Sequence, residues 1–107
     1  MNKKTIYIAG KMTGIKDFNF PRFAIKASEL KAKEVNVVNP ADIALKFVNG
    51  KMSLLKDEST INKIIKLELE ALAMCDSIYL LKGWETSKGA KKELQLAILL
   101  DKEIICE

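Results

Sequence analysis

Histidine is absent from this 107-residue chain, and arginine occurs only once, at Arg22, against 17 lysines. Without histidine, and with only Cys75 and Cys106 as thiols, no zinc site is expected. The two cysteines lie 31 residues apart and lack C-x-x-C redox spacing; both read as reduced, mostly buried thiols of a cytoplasmic protein. The shortage of arginine argues against a domain that reads DNA sequence, because guanidinium groups make most bidentate contacts to guanine. No basic block interleaved with aromatics appears either, so nucleic acid is not an expected partner. Long apolar runs are also missing. The run before Gly10 spans about five residues, too few for a signal sequence or a membrane span.

A composition of 49% hydrophobic residues suffices for a core without disulfide or metal, and the length fits one domain over residues 1–107. The net charge of +4 suits a partner bearing phosphate without requiring one.

Periodicity then orders the chain. TIYIA (Thr5–Ala9) reads as a buried strand, followed by the polar loop GKMTGIKDFNF. Pro21 suits the first turn of a helix whose stripe is Phe23, Ala24, Ala27 and Leu30. VNVVNP, Val35 to Pro40, is a second strand stopped by its proline. ADIALKF suggests a short helix, VNG a turn, and KMSLLKDEST a lid-like loop or partial helix. From Thr60 a long helix follows, with Ser59 or Thr60 as its N-cap. SIYLL is the third strand, about Gly89 to Leu100 the last helix, and EIIC the fourth strand. The pattern predicts an α/β fold: a three-layer, open parallel sheet of four strands in the order 2-1-3-4, Rossmann-like or flavodoxin-like, with helices on both faces. Ligands of such sheets bind beyond the carboxyl ends of the strands where the order reverses, here between Gly10–Gly14 and Lys82–Gly89.

Two glutamates break the helical patterning. At about 100 degrees per residue, Glu93 lies about 60 degrees from Ala90 and nearly opposite the stripe of Lys91, Lys92 and Gln95. The helix N-terminus is expected to favour its ionised form. In the preceding long helix, Ile61, Ile64, Ile65 and Leu72 surround the direction of Glu68. An unpaired buried carboxylate is expensive, so Glu68 must be paired, hydrogen-bonded or open to a pocket. Glu68 and Glu93 are therefore expected in one cleft. Around them, Gly10 would either simply end the strand or let a ligand approach the backbone, and Thr13 with the amides before the helix would then bind sugar or phosphate oxygens. Asp17 and Asn19 would either cap the turn or reach the ligand, with capping the better reading for Asn19. Trp84 would pack locally or wall a planar base, and Ser87 would cap the helix beside Gly89. GKMTG is neither a dinucleotide fingerprint nor a phosphate loop of known type.

The segments IYIAGKMTG with FNFPRF, VVNPADI and CDSIYLLKGWETSKGAKKE resemble a family of small bacterial and phage proteins, DUF4406-like, related to the nucleoside 2-deoxyribosyltransferases. The likeness runs from about Ile6 to Ile104. It implies that Glu93, ending an S-x-G-x-x-x-E pattern with Ser87 and Gly89, is a nucleophile toward the anomeric carbon of a deoxyribose. It also implies that Glu68 holds the nucleoside, and that Gly10, Met12, Thr13 and Gly14 contact the sugar end. Leu67 departs from the family, which commonly carries arginine there, and Glu85 is the distant candidate for a second acid. The activity implied is cleavage or transfer at the N-glycosidic bond of a deoxynucleoside or its monophosphate, with no metal or redox cofactor. The alternatives are a nucleotide-binding module without chemistry and a structural or protein-interaction role. Leu96, Leu99 and Leu100 spread beyond the face that a sheet can cover, and the related transferases assemble, so a homodimer or larger homo-oligomer is expected.

Overall fold

The computed structural model describes residues 3–107. Four parallel strands, β1 (Thr5–Ala9), β2 (Asn36–Val38), β3 (Ser77–Leu80) and β4 (Glu103–Cys106), form one sheet in the order β2-β1-β3-β4. Helices α1 (Phe20–Lys31), α2 (Pro40–Phe47), α3 (Glu58–Ala73) and α4 (Lys88–Leu99) connect them. The expected α/β architecture and strand order are those observed.

Strand alternation divides the core between two faces. On β1, Ile6 and Ile8 pack with Phe23, Ala27 and Leu30 of α1. Tyr7 and Ala9 point the other way, toward Leu72 of α3 and Ala90 and Ala97 of α4. A smaller cluster of Ala44, Val48, Leu55 and Ile64 joins α2 to α3 and takes in Phe18, Phe20 and Met52. This third cluster builds a wall beyond the strand ends.

Several local expectations are corrected. Pro40 opens α2 rather than closing a strand, because Asn39 accepts a hydrogen bond from the amide of Ala41 at 2.9 Å and proline suits the first helical turn. The α3 cap is Asp57, whose carboxylate accepts from the amide and hydroxyl of Thr60, at 2.9 and 2.8 Å; neither Ser59 nor Thr60 holds that position. The stretch expected as a lid-like loop or partial helix contains a 3-10 turn over Met52–Lys56. Ala24 is exposed, so the α1 stripe narrows to Phe23, Ala27 and Leu30. Cys75 is buried, but Cys106 is exposed because β4 is an edge strand. On α4, Leu99 and Leu100 are exposed and Leu96 is half-buried against the core. No described helix is long and apolar enough to cross a membrane.

Gly10 is required by packing. A Cβ at this position would lie 3.0 Å from Leu81 Cβ and 2.9 Å from Leu81 Cδ1, at the end of β1 where Leu81 donates its amide to Ala9 at 2.9 Å. In the direction a Cβ would take, the close approach is made by a neighbouring side chain, while Gly10 also lines the cavity beyond the strand end. Gly10→Ala is expected to destabilise the protein by about 1–3 kcal/mol, through overpacking against the buried Leu81 side chain. Denaturant titration measures the loss; an unchanged midpoint would show that Leu81 yields freely.

Candidate functional site

A pocket of about 930 Å³ opens beyond the carboxyl ends of β1 and β3. One side is the loop Gly10–Gly14, the floor carries Glu68 and Glu93, and the other side is the start of α4 at Ser87–Ala90. The apolar wall comprises Phe18, Phe20 and Pro40 together with Ile61, Ile64 and Ile65 of α3. The position follows from the fold: β1 and β3 are neighbours, yet their following connections leave on opposite faces and open a crevice.

Each acid arrives on an otherwise apolar helix face. On α3 the buried residues are Ile64, Glu68 and Leu72, and on α4 they are Ala90, Glu93 and Ala97. Glu93 is 8% exposed and Glu68 9% exposed. The Tyr7 hydroxyl donates a hydrogen bond to Glu93 Oε2. Glu68 makes no side-chain hydrogen bond among the described residues, and its carboxyl oxygens are open to the pocket rather than sealed in the core.

Burial reverses the expected charge state. Desolvation pushes Glu93 up to about 8, although the Tyr7 hydrogen bond opposes the shift. Glu68 is pushed up to about 9 by desolvation and then by the nearby charge of Glu93. The α4 N-terminus does not rescue ionisation, because the macrodipole fades within the first turn and Glu93 lies beyond it. Burial and the neighbouring acids raise Tyr7 well above the ordinary tyrosine range, so its hydroxyl keeps the proton it donates. Tyr7 was overlooked in the sequence. Its signal was available: alternation places it opposite Ile6 and Ile8, and a phenol buried in a central strand needs a polar partner.

The remaining candidates divide. Gly10, Met12, Thr13, Gly14, Ser87 and Gly89 line the same pocket as Glu68 and Glu93. Ser87 caps α4, its hydroxyl accepting from the amide of Ala90 at 3.1 Å. Asp17 lies outside this pocket, on a shallow depression beside α1. Asn19 neither caps with its side chain nor lines the pocket; it donates to the carbonyl of Lys11 at 2.9 Å and so braces the Gly10–Gly14 loop. Trp84 packs against the core cluster of Tyr7 and Ala90 and does not line the pocket, whose aromatic wall is Phe18 and Phe20. Glu85 does not line the pocket, so Glu68 is the acid that accompanies Glu93 there. No group of three or more metal-ligating side chains occurs among the described residues.

Fold and pocket together define a doubly wound α/β domain with an acid-floored crevice site. The chain belongs to the DUF4406 family, a domain of unknown function whose profile matches residues 4–106. Comparison with curated proteins finds no match.

The pH dependence of stability follows from the two acids. Their folded-state affinities for protons exceed those of the unfolded chain, so their contribution is complete below about pH 4.5 and is lost as pH rises through about 8 to 9. Glu68→Gln removes one of these groups while keeping its shape. The melting temperature of the variant should match the parent near pH 5 and exceed it by several degrees at pH 9, a gain on the order of 2 kcal/mol. Parallel melting curves across this range would contradict a buried, proton-holding Glu68.

Proposed function

We propose that this protein cleaves or transfers the N-glycosidic bond of a deoxynucleoside or deoxynucleoside monophosphate, with Glu93 as nucleophile. The observation that carries the reading is a buried carboxyl group at the pocket floor, oriented by Tyr7 and accompanied by a second, unpartnered carboxyl group on Glu68. The resemblance to the nucleoside 2-deoxyribosyltransferases supports the same assignment.

Different environments give the two acids different tasks. Glu93 has a hydrogen-bond donor and ionises first; Glu68 has none and keeps its proton longer. The Glu93 carboxylate adds to the anomeric carbon as the carbon–nitrogen bond breaks, and Glu68 gives its proton to the departing base. Water or a second base then attacks the same carbon and gives its proton to the ionised Glu68, the ester bond to Glu93 breaks, and both carboxyl groups return to their starting states. Deoxyribose eases the step, since no 2-hydroxyl withdraws electrons from the developing cation. The apolar wall of Phe18 and Phe20 suits the flat face of a base.

Glu93→Gln should lower base release by orders of magnitude while leaving nucleotide binding nearly unchanged, and Glu68→Gln should reduce both. Wild-type turnover should follow a bell whose limbs fall near pH 8 and 9, where Glu93 must be ionised and Glu68 protonated. Chromatography of released base over time measures these effects; an active Glu93→Gln protein would exclude the nucleophile. Wild-type protein that binds nucleotides without releasing base would instead identify a binding module.

Self-association belongs to the same proposal. Leu99 is 78% exposed and Ile98 56% exposed on α4, with Leu100 beside them, and apolar surface of this kind is commonly covered by a second copy. A dimer is expected by sedimentation at tens of micromolar, on the order of ordinary homodimer affinities. A monomer throughout that range would remove this part of the reading.

A further inference from the structure

The pocket mouth is cationic where its floor is acidic. Lys11, Lys56, Lys88 and Lys92 all line it, reaching it from four turns of chain: the loop after β1, the 3-10 turn before α3, and two successive turns of α4. None of the four forms an ion pair among the described residues. The ion pairs found there involve Lys4, Arg22 and Lys26 with Glu29, Glu103 and Glu107, remote from the pocket lining. Asp57, the carboxylate next to Lys56 in sequence, is engaged in capping α3. Four like charges around one opening repel each other, and an anionic ligand relieves that repulsion.

The start of α4 adds donors of the same sign. Ser87 Oγ takes the amide of Ala90 and the Ser87 carbonyl takes that of Lys91, while the amides of Lys88 and Gly89 have no protein acceptor among the described residues. A Cβ at Gly89 would meet nothing nearer than Ser87 Oγ at 3.9 Å, so space is open beside this turn. An anion seated there meets free amides, a helix dipole and lysine ammonium groups together. The second indication of a ligand is Glu68, nine-tenths buried, facing the same cavity with no protein partner. Glu93 follows Ser87 by six residues, about 9 Å along the helix axis, which leaves room for a sugar between the acid floor and the cationic mouth.

We propose that the ligand carries a phosphate group, recognised by the α4 N-terminus with Lys88 and Lys92 and closed over by Lys11 and Lys56, so that the preferred substrate is a deoxynucleoside 5′-monophosphate over the free nucleoside. This inference rests on the glycosidic reading for the identity of the sugar and base, but its charge argument is independent of any bond cleavage.

Calorimetric titration with the four deoxynucleoside 5′-monophosphates, the four matching nucleosides and inorganic phosphate tests it, alongside the base-release assay. At least one monophosphate should bind about tenfold or more tightly than its nucleoside, as expected for charge-assisted hydrogen bonds, and the advantage should shrink with added salt. Lys88→Gln combined with Lys92→Gln should erase the advantage and leave nucleoside affinity in place. Gly89→Ala, which favours the helix itself, should weaken monophosphate binding while the melting temperature holds or rises. Equal affinity for nucleosides and monophosphates would overturn the proposal, as would a monophosphate preference untouched by the lysine and glycine variants. A lysine-dependent preference without base release would support phosphate recognition while defeating the glycosidic reading; release from nucleosides alone would do the reverse.

Discussion

The hydrogen bond from Tyr7 to Glu93 ties the centre of the sheet to α4 across 86 residues of sequence, and the geometry of the pocket depends on it. β1, like β3, is flanked on both sides, here by β2 and β3, so the Tyr7 hydroxyl is a fixed reference point. Anchoring Glu93 there sets the rotation of α4 about its axis, and that rotation turns Ser87 and Gly89 toward the crevice along with Lys88 and Lys92. A buried phenol and a buried carboxyl group would each be costly alone. Paired, they satisfy one another in surroundings where a hydrogen bond is stronger than in water.

Much of this architecture was legible because periodicity and punctuation agreed. Thr5–Ala9, Ser77–Leu80 and Glu103–Cys106 are short β-branched or apolar runs bounded by breakers, and the helices between them carry well-defined apolar stripes. Glu68 and Glu93 stood out for the same reason, as acids at core angles. The charge state did not follow from one dimension, because the helix-dipole argument is local whereas desolvation depends on what β1 and α3 bring up against Glu93. Tyr7 escaped notice because a tyrosine is unexceptional in a strand until the partner of its hydroxyl is known. Of the two readings open for Trp84, local packing is the one observed, because a strand-to-helix turn beside a core cluster gives a lone tryptophan somewhere apolar to go.

The acids also mark a conflict between levels of design. Along α3 the neighbours of Glu68 on the pocket side are Ile61, Ile64 and Ile65, and a leucine or methionine in its place would extend that stripe without an electrostatic penalty. Natural sequences agree with their folds at most positions and depart from them where something other than folding is served. Two departures on two helices, meeting in one cavity, are harder to assign to tolerance than either would be separately.

The pocket wall carries a second departure, in the backbone. Asp17, Phe18 and Asn19 have φ of 54, 54 and 62 degrees, three consecutive left-handed residues without a glycine. Asparagine and aspartate tolerate this region, but phenylalanine does not, and each such residue costs on the order of 1 kcal/mol. The turn is held from both sides. Asn19 reaches back to the Lys11 carbonyl, while the Phe18 and Phe20 rings pack 5.9 Å apart and join Ala44, Leu55 and Ile64. A relaxed right-handed turn would carry Phe18 off this cluster and uncover the wall facing Glu68. The strain is thus confined to the segment that brings two aromatic rings to the cavity, where burial of their faces offsets it. Sequence could not disclose this turn, because its cause lies in α2 and α3, more than twenty residues further along the chain.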